Sequence, residues 1–506
     1  MARDILIGID VGTTGVKVLA VTTQGDLAAS AIEAYPLYTP QTGWTEQEPA
    51  DWWQATKLAL KRTLAALPAD RLLAVGLSGQ MHGMVALDAK HQVVRRAILW
   101  NDQRTASQCR ELTDLAGGPE ALLAMTNNQM LTGYTAGKIR WLQQAEPDNF
   151  AHTRLILNPK DYLRLCLTGS VLTEVSDASG TGLYDVQNNR WHTGLIRRAG
   201  LDPALFPPVV ASTEEAGRIS EEAAAQTGLP AGLPVSGGGG DAVISTTGLG
   251  LVRPGRIGIT LGTSGVVAMG LDAFMANPEG KLQVFRGNAP GSFTAMGVTL
   301  AAAGSYHWFR QALGQHEREQ AGQTGRSAFQ LLDEAAGATE PGAAGLIFLP
   351  YLTGERCPIH DPAARGGFIG LTGLHEKGHF ARAVLEGVAY SLRQVHALIA
   401  ANSPDRQGEG TVILAGGGAV SPVWRQIFAD VFQLPVQTVY GSAEGGSFGA
   451  ALVAGVTAGV WTSLPEAVRL VRTESETLPD PSRAAVYAAL YDRYTRAYGA
   501  LQPLFA

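Results

Sequence analysis

Short apolar runs rich in β-branched residues alternate along this chain with longer stretches of helical period. "ILIGID" and "VKVLAVTT" flank Gly12-Thr13-Thr14-Gly15, and Gly25-Asp26 makes the next break, so residues 4–38 predict strand, turn, strand, turn, strand. Pro49 then opens "PADWWQATKLALKRTLAAL", whose apolar residues recur near every 3.6 positions and predict a helix. "LLAVGLSG", "MVALD" and "RAILW" follow as strands. Residues 104–232 are helical in pattern with irregular breaks and read as insertion material. "LPVSGGGGDAVISTTGLG" closes this half as strand, glycine loop and helix.

The second half restarts with "GRIGITLGTSGVVAMG", again strand, turn and strand. In "EKGHFARAVLEGVAYSLRQVHALIAA", Phe380, Val384, Val388, Leu392, Val395 and Ile399 form one apolar stripe of a long helix. "GTVILAGGGAVSPVWRQIFADVF" is strand, glycine loop and helix, and "PVQTVY" followed by "GGSFGAALVAG" repeats that order. The pattern is that of an α/β protein with mixed sheets flanked by helices.

Two of the turns carry one phrase. "GIDVGTTGV" begins at residue 8 and "GITLGTSGV" at residue 258, 250 positions apart in a chain of 506, and six of the nine letters agree. A single pair is not a short-period array, so an ancient duplication is the simplest reading. It predicts domains over 1–249 and 250–506. No Pro/Ser-rich linker separates them, which predicts halves packed around a shared central cleft.

Composition narrows the function. Hydrophobic residues make up 45% and charged ones 17%, and 39 basic against 45 acidic residues give a net charge of −6 without basic blocks. Nucleic acid is a poor partner for such a chain. The apolar stretches are broken before membrane-spanning length, and no signal-peptide anatomy opens the sequence. Three cysteines with no CxxC or CxxH pairing argue against a disulfide framework and structural zinc. A cytoplasmic protein with small-molecule partners is expected, and a homodimer stays open. The 61 glycines gather after strand-like runs, where a backbone must approach a ligand closely.

One Gly-Thr turn can be a plain hairpin. Two matched copies at the heads of two halves favour backbone N–H nests for neighbouring phosphates. Lys17, on the strand leaving the first turn, adds a point charge. No GxxxxGK[ST] and no GxGxxG after a strand occur, which disfavours P-loop and Rossmann dinucleotide sites.

An acidic residue ending the first strand before a Gly-Thr hairpin, a second such hairpin and a late triple-glycine loop resemble the actin-like ATPase superfamily. The chain further resembles the FGGY family of carbohydrate kinases, and xylulose kinases most closely within it. Phrases running nearly end to end carry the resemblance: "GWTEQEPADWW", "GLSGQMHG", "LWNDQR", "GYTAGKIRWL", "GGGGDA", "FLPYLTGERCP", "RGGFIGLTGLHEKGHFARAVLEGVAYSLR" and "LAGGGAVSPVWRQIFADV". It implies two ribonuclease H-like domains about a cleft, with ATP and Mg²⁺ as the phosphoryl donor. The first domain would carry the sugar site, the first phosphate hairpin and the helical insertion, and the second the nucleotide.

The same resemblance implies the site. Asp241 matches the catalytic aspartate that accepts the sugar hydroxyl's proton, although an Asp there is also a common helix N-cap. Asp10 matches a magnesium-associated carboxylate acting through water, with Asp241 as its companion. Gly12, Thr13, Thr14, Gly262 and Thr263 would cradle phosphates, and Gly417 and Gly418 would lie under the adenosine. Met81 and His82 match a sugar-contacting pair, and Trp100, Asn101 and Asp102 a neighbouring wall, unless Trp100 is simply a buried Trp before a polar turn. Glu386 reads as packing or hinge support. Cys357, His360 and Asp361 lack enough ligands for a metal.

Two positions depart from the xylulose kinase pattern. Ala242 stands where a polar residue is usual, which bears on sugar choice, and Gly137 replaces a common proline in what reads as a loop. The expectation is a kinase converting D-xylulose to D-xylulose 5-phosphate. Its alternatives are an FGGY kinase for another ketose or for ribitol or xylitol, and a non-metabolic actin-like ATPase.

Overall fold

The structure is a computed structural model and describes residues 4–65, 67–403 and 410–505. It divides into two compact units, Met1–Arg253 with Gly270–Thr294 and Glu444–Val471, and Pro254–Met269 with Ala295–Ala443 and Arg472–Ala506. Among the described residues, no helix is long and apolar enough to cross a membrane.

The first unit is built on strands β1 (Ile5–Val11), β2 (Gly15–Thr22), β3 (Leu27–Ala34), β4 (Leu72–Gly79), β5 (Glu215–Arg218), β6 (Pro234–Ser236) and β7 (Gly239–Gly240). They run in the order β5–β6–β4–β1–β2–β3, with β7 pairing β4. Alternation along β1 explains the layering. Ile5, Ile7, Ile9 and Val11 point to a core shared with Trp52 and Leu60 of the helix Pro49–Leu64 and with Leu163 and Leu167. Leu6 points the other way, to Phe448, Ala451 and Leu452 of the helix Gly445–Thr457. That helix lies almost on the sheet backbone, because a Cβ on Gly8 or Gly76 would overlap the carbonyls of Ser447 and Ala450. The helix-rich stretch after residue 104 has its own small core around Leu112, Ile139, Leu142 and Ile196.

Register decides which loops meet. Asp10 pairs across with Lys17 on antiparallel β2 and with Ser78 on parallel β4, while Gly239 pairs with Ser78. Lys17, Asp10, Ser78 and Gly239 therefore form one row at the carboxyl ends of the parallel strands, where α/β sheets place ligands.

The second unit repeats the plan with β8 (Arg256–Leu261), β9 (Gly265–Leu271), β10 (Phe293–Thr299), β11 (Thr411–Ala415), β12 (Val436–Val439) and β13 (Thr473–Thr477), ordered β10–β9–β8–β11–β12–β13. As β1 is antiparallel to β2 and parallel to β4, so β8 is antiparallel to β9 and parallel to β11. The duplicated phrase thus marks a duplicated topology. Thr260 pairs with Ala415, so the Gly262–Thr263 turn and the loop starting at Gly416 leave the same sheet end. The predicted long helix spans Lys377–Asn402 and buries Val384, Val388, Leu392, Val395 and Ile399, with Phe380 only half-buried. Glu386 is a packing brace that accepts from Arg382 Nε at 2.7 Å, Tyr487 Oη at 2.9 Å and Gly342 N at 2.9 Å. Gly137 is not in a loop. It lies buried in the first turn of the helix Thr135–Ala145, where a Cβ would stand 2.9 Å from Cys109 Sγ, so glycine tightens that contact rather than loosening a loop.

Candidate active site

In the first unit the end of β1, the loop after β4 and the helix start after β7 bring Asp10, Met81, His82 and Asp241 together. Asp10 Oδ1 accepts from Ser78 Oγ at 2.6 Å, and its other oxygen approaches Gly446, where a Cβ would come within 2.8 Å. Burial raises the Asp10 carboxyl above its ordinary range, against the pull of Ser78 and Lys17. Lys17 itself is engaged by Glu444 Oε2 at 2.5 Å.

Asp241 is the first residue of the helix Asp241–Gly248, and Oδ1 accepts from the N–H of Ala242 at 2.7 Å. Burial, then the neighbouring charge of Asp10, push its carboxyl up to about 7. Two carboxylates whose charges penalise each other suit a site that receives a cation and a proton. Ala242 is exposed beside Asp241 and offers a methyl group only.

Met81 packs on the backbone that leads to Asp241, since a Cβ on Gly240 would overlap its Cγ. His82 has φ +69, a left-handed conformation unusual outside glycine. Its Nδ1 lies 2.7 Å from Gly180 O, which can only accept, so Nδ1 carries the proton and Nε2 presents a lone pair. Burial and the Lys138 charge lower the ring to about 3, so it stays neutral at working pH. The Tyr134 ring packs against it at a tilt of 34°, with centroids 4.6 Å apart.

The first Gly-Thr hairpin closes through Gly12 N to Gly15 O at 3.1 Å and leaves Thr14 exposed. Tyr35 and Gln47, which the sequence did not single out, hold it together with Trp100. Tyr35 donates its hydroxyl to Gly12 O. Gln47 donates to Thr13 O at 2.7 Å while accepting from Trp52 Nε1 at 3.0 Å and Gln80 Nε2 at 2.8 Å. Trp100 is 46% exposed and donates Nε1–H to Thr13 Oγ1 at 3.0 Å, so it is a wall and not a core residue. Asn101 accepts from Thr45 Oγ1 at 2.9 Å. Asp102 faces no open space: it is fully buried, accepting from Thr45 N at 2.6 Å and from the Arg104 guanidinium at 2.8 Å, and it braces the turn that presents Trp100.

In the second unit, Gly262, Thr263, Gly417 and Gly418 line a cavity of about 620 Å³ with Tyr306, Phe329, Asp333 and Trp424. The Gly262–Thr263 turn is clamped by N–H groups of Ala302 at 2.8 Å, Ala303 at 2.9 Å and Gly304 at 3.1 Å. Gly417 has open space where a Cβ would go, whereas Gly418 is needed for packing, its Cβ position lying 2.7 Å from Trp424 Cζ3. The glycine requirement at 418 is therefore imposed by protein, not by a ligand. Trp424 follows the triple-glycine loop, whereas Tyr306 and Phe329 come from a region the sequence reading did not single out, and Tyr306 is fixed there by its bond to Asp333 at 2.9 Å.

Comparison with known sequences identifies the family. The sequence models of the FGGY family of carbohydrate kinases match residues 5–248 for the N-terminal domain and 257–458 for the C-terminal domain. This chain belongs to the FGGY family of carbohydrate kinases. It is 37% identical over 500 residues to a xylulose kinase of Escherichia coli, covering 99% of this chain and 100% of the other. It is 36% identical over 496 residues to one from Bacillus subtilis, covering 97% and 96%. The crystal structure of a xylulose kinase from Rhodospirillum rubrum superposes with a TM-score of 0.90 at 30% identity, covering 99% of both chains. The two repeated sheets of this FGGY kinase are accordingly ribonuclease H-like domains of the actin-like ATPase fold.

Proposed function

We propose that this kinase transfers the γ-phosphoryl group of ATP to the terminal hydroxyl of D-xylulose, giving D-xylulose 5-phosphate. The observation that carries the chemistry is Asp241 beside Asp10 at the strand ends, with Met81 and His82 on its flank. The full-length likeness to proteins named xylulose kinase supports the choice of sugar. Sugar binding is assigned to 1–249 and nucleotide binding to 250–506, in a cytoplasmic enzyme.

Asp241 takes the hydroxyl's proton. Because phosphoryl transfer passes through a loose transition state, it need only orient the alcohol and accept the proton late. A carboxyl raised to about 7 is a better base than an ordinary one, being ionised at working pH yet basic enough to bind the proton. His82 Nε2 accepts from a sugar hydroxyl, and Met81, Trp100 and Asn101 shape the wall. Gly12, Thr13, Thr14, Gly262 and Thr263 cradle the phosphates: the N–H groups of Gly12 and Gly262 close the two hairpins, so those of Thr13, Thr14 and Thr263 face the phosphates, and Gly417 and Gly418 floor the adenosine site.

Asp10 and Asp241 fit a magnesium ion held through water. No group of three or more potential ligands gathers among the described residues, and Mg²⁺ does not need one, since it keeps waters and takes one or two carboxylates with the substrate's phosphates. When bound, it offsets phosphate charge.

The test is ADP release by the purified protein with MgATP across D-xylulose, D-ribulose, L-ribulose, gluconate, ribitol and xylitol. D-xylulose should give the highest kcat/KM, and Asp241→Ala should abolish turnover while retaining ATP binding. A preference for another sugar, or ATP turnover indifferent to every sugar, overturns the assignment.

A further inference from the structure

The phrase "GYTAGKIRWL" finds no use in the chemistry above, yet three of its residues converge on His82. Tyr134 caps the helix Thr135–Ala145 and lays its ring on the imidazole at 4.6 Å. Thr135 Oγ1 donates to His82 O at 3.2 Å, and Lys138 Nζ donates to the same carbonyl at 2.7 Å and to Gly133 O at 2.5 Å. Lys138 is fully buried, and no carboxylate lies within ion-pair distance of it among the described residues. Burial lowers this ammonium to about 7, and its charged form is favoured by the hydrogen bonds to the two carbonyls.

What the bonds hold is a strained backbone. His82 sits at φ +69, a conformation that relaxes unless its surroundings over-determine it. If the peptide after His82 rotated to an ordinary conformation, its carbonyl would leave Lys138 and the ring would leave Gly180. Lone-pair Nε2 would then point elsewhere.

We propose that Lys138 is a positioning residue for sugar recognition: with Thr135 it anchors the His82 carbonyl, and so fixes the left-handed turn that aims Nε2 at the sugar. This rests on the reading of Met81 and His82 as the sugar-contacting pair. Lys138 touches no substrate in this scheme. Its effect passes through His82, so it should appear in the KM for D-xylulose and be absent from the KM for ATP.

The experiment compares Lys138→Met, which keeps the length and removes the donor, with Lys138→Gln, which keeps an N–H, and with His82→Ala and the Lys138→Met/His82→Ala double variant. Lys138→Met should raise the KM for D-xylulose about five- to tenfold, the equivalent of about one ordinary hydrogen bond, with the KM for ATP within about twofold. Lys138→Gln should recover part of the loss, and Lys138→Met should add less than about twofold when His82 is already alanine. If Lys138→Met does not fold, Thr135→Val removes the second donor to the same carbonyl and should raise the same KM. A raised KM in His82→Ala with an unchanged one in Lys138→Met or Thr135→Val overturns the proposal alone, as do independent effects in the double variant. An unchanged KM in His82→Ala overturns the sugar-site reading and the proposal together.

Discussion

Gly180 gives the sharpest test of the sugar side. It ends the short helix Val175–Ser179 at φ −84 and ψ 4, which alanine also adopts, so the backbone does not resist Gly180→Ala. The obstacle is the His82 ring: a Cβ would lie 2.6 Å from Cε1 and Nδ1 and 3.0 Å from Met81 Cε. Restoring ordinary contact near 3.5 Å requires a retreat of roughly 0.9 Å. Tyr134 already packs against the ring with centroids 4.6 Å apart, and the retreat would stretch the 2.7 Å bond from Nδ1 to Gly180 O beyond hydrogen-bond range. Overpacking costs about 1–3 kcal/mol and the lost bond about 1 kcal/mol. Sugar affinity should fall by the share of that cost paid in aligning the ring, about 1 kcal/mol or roughly fivefold. Initial rates against each substrate, with thermal unfolding, supply the readout: a KM for D-xylulose raised about fivefold, a KM for ATP within about twofold, and a lower Tm. An unchanged xylulose KM in a destabilised variant would refute the placing of the sugar on His82. No change in either would refute the packing described.

The nucleotide side separates two adjacent glycines. Gly417→Ala projects into open cavity and should raise the KM for ATP with no loss of Tm, whereas Gly418→Ala strikes Trp424 and Leu261 and should lower both ATP affinity and Tm; a matching thermal response of the two would contradict this division. The pH profile tests Asp241. Its carboxyl is raised to about 7, so it is protonated and unable to accept below that value. The kcat/KM for D-xylulose should fall about tenfold per pH unit below the inflection, and a flat profile from about pH 5 to 8 would remove Asp241 as the base.

Strands and glycine loops along the chain were legible because they are local: β-branched runs, Gly-Asp and Gly-Thr turns and a Pro at a helix start need no knowledge of distant chain. Asp10 and Asp241 were legible as strand-end carboxylates, and the duplicated phrase did mark a duplicated sheet. Tyr35, Gln47, Ser78, Gly180 and Lys138 were not. Each reaches the site through long-range pairing, such as Gln47 to Thr13 or Lys138 to His82, and each is an ordinary residue type for its own element. Asp102 misleads for the same reason. Its motif places it beside Trp100, but only the fold shows its carboxylate spent on Thr45 and Arg104.

The glycine loop before Asp241 shows why so much charge is buried behind this site. Gly237–Gly240 has no side chains with which to hold itself, so its rigidity must come from outside. Arg164 Nη2 donates to Gly237 O at 2.6 Å, Gly240 N donates to Ser176 Oγ at 2.9 Å, and Gly238 N donates to Ser212 O at 2.9 Å. Those partners are fixed in turn: Asp161 binds Lys160 at 2.7 Å and Arg164 at 2.9 Å, Lys160 reaches Asp177 at 3.1 Å, and Glu174 accepts from Ser176 Oγ at 2.6 Å and from Ser212 Oγ at 2.5 Å. Hydrophobic replacements of similar volume often stabilise a protein, so stability alone is a weak reason to retain such a cluster. A loop that must stay bare for a substrate and still place a carboxylate supplies a stronger one, because preorganised geometry avoids reordering cost when the reaction occurs.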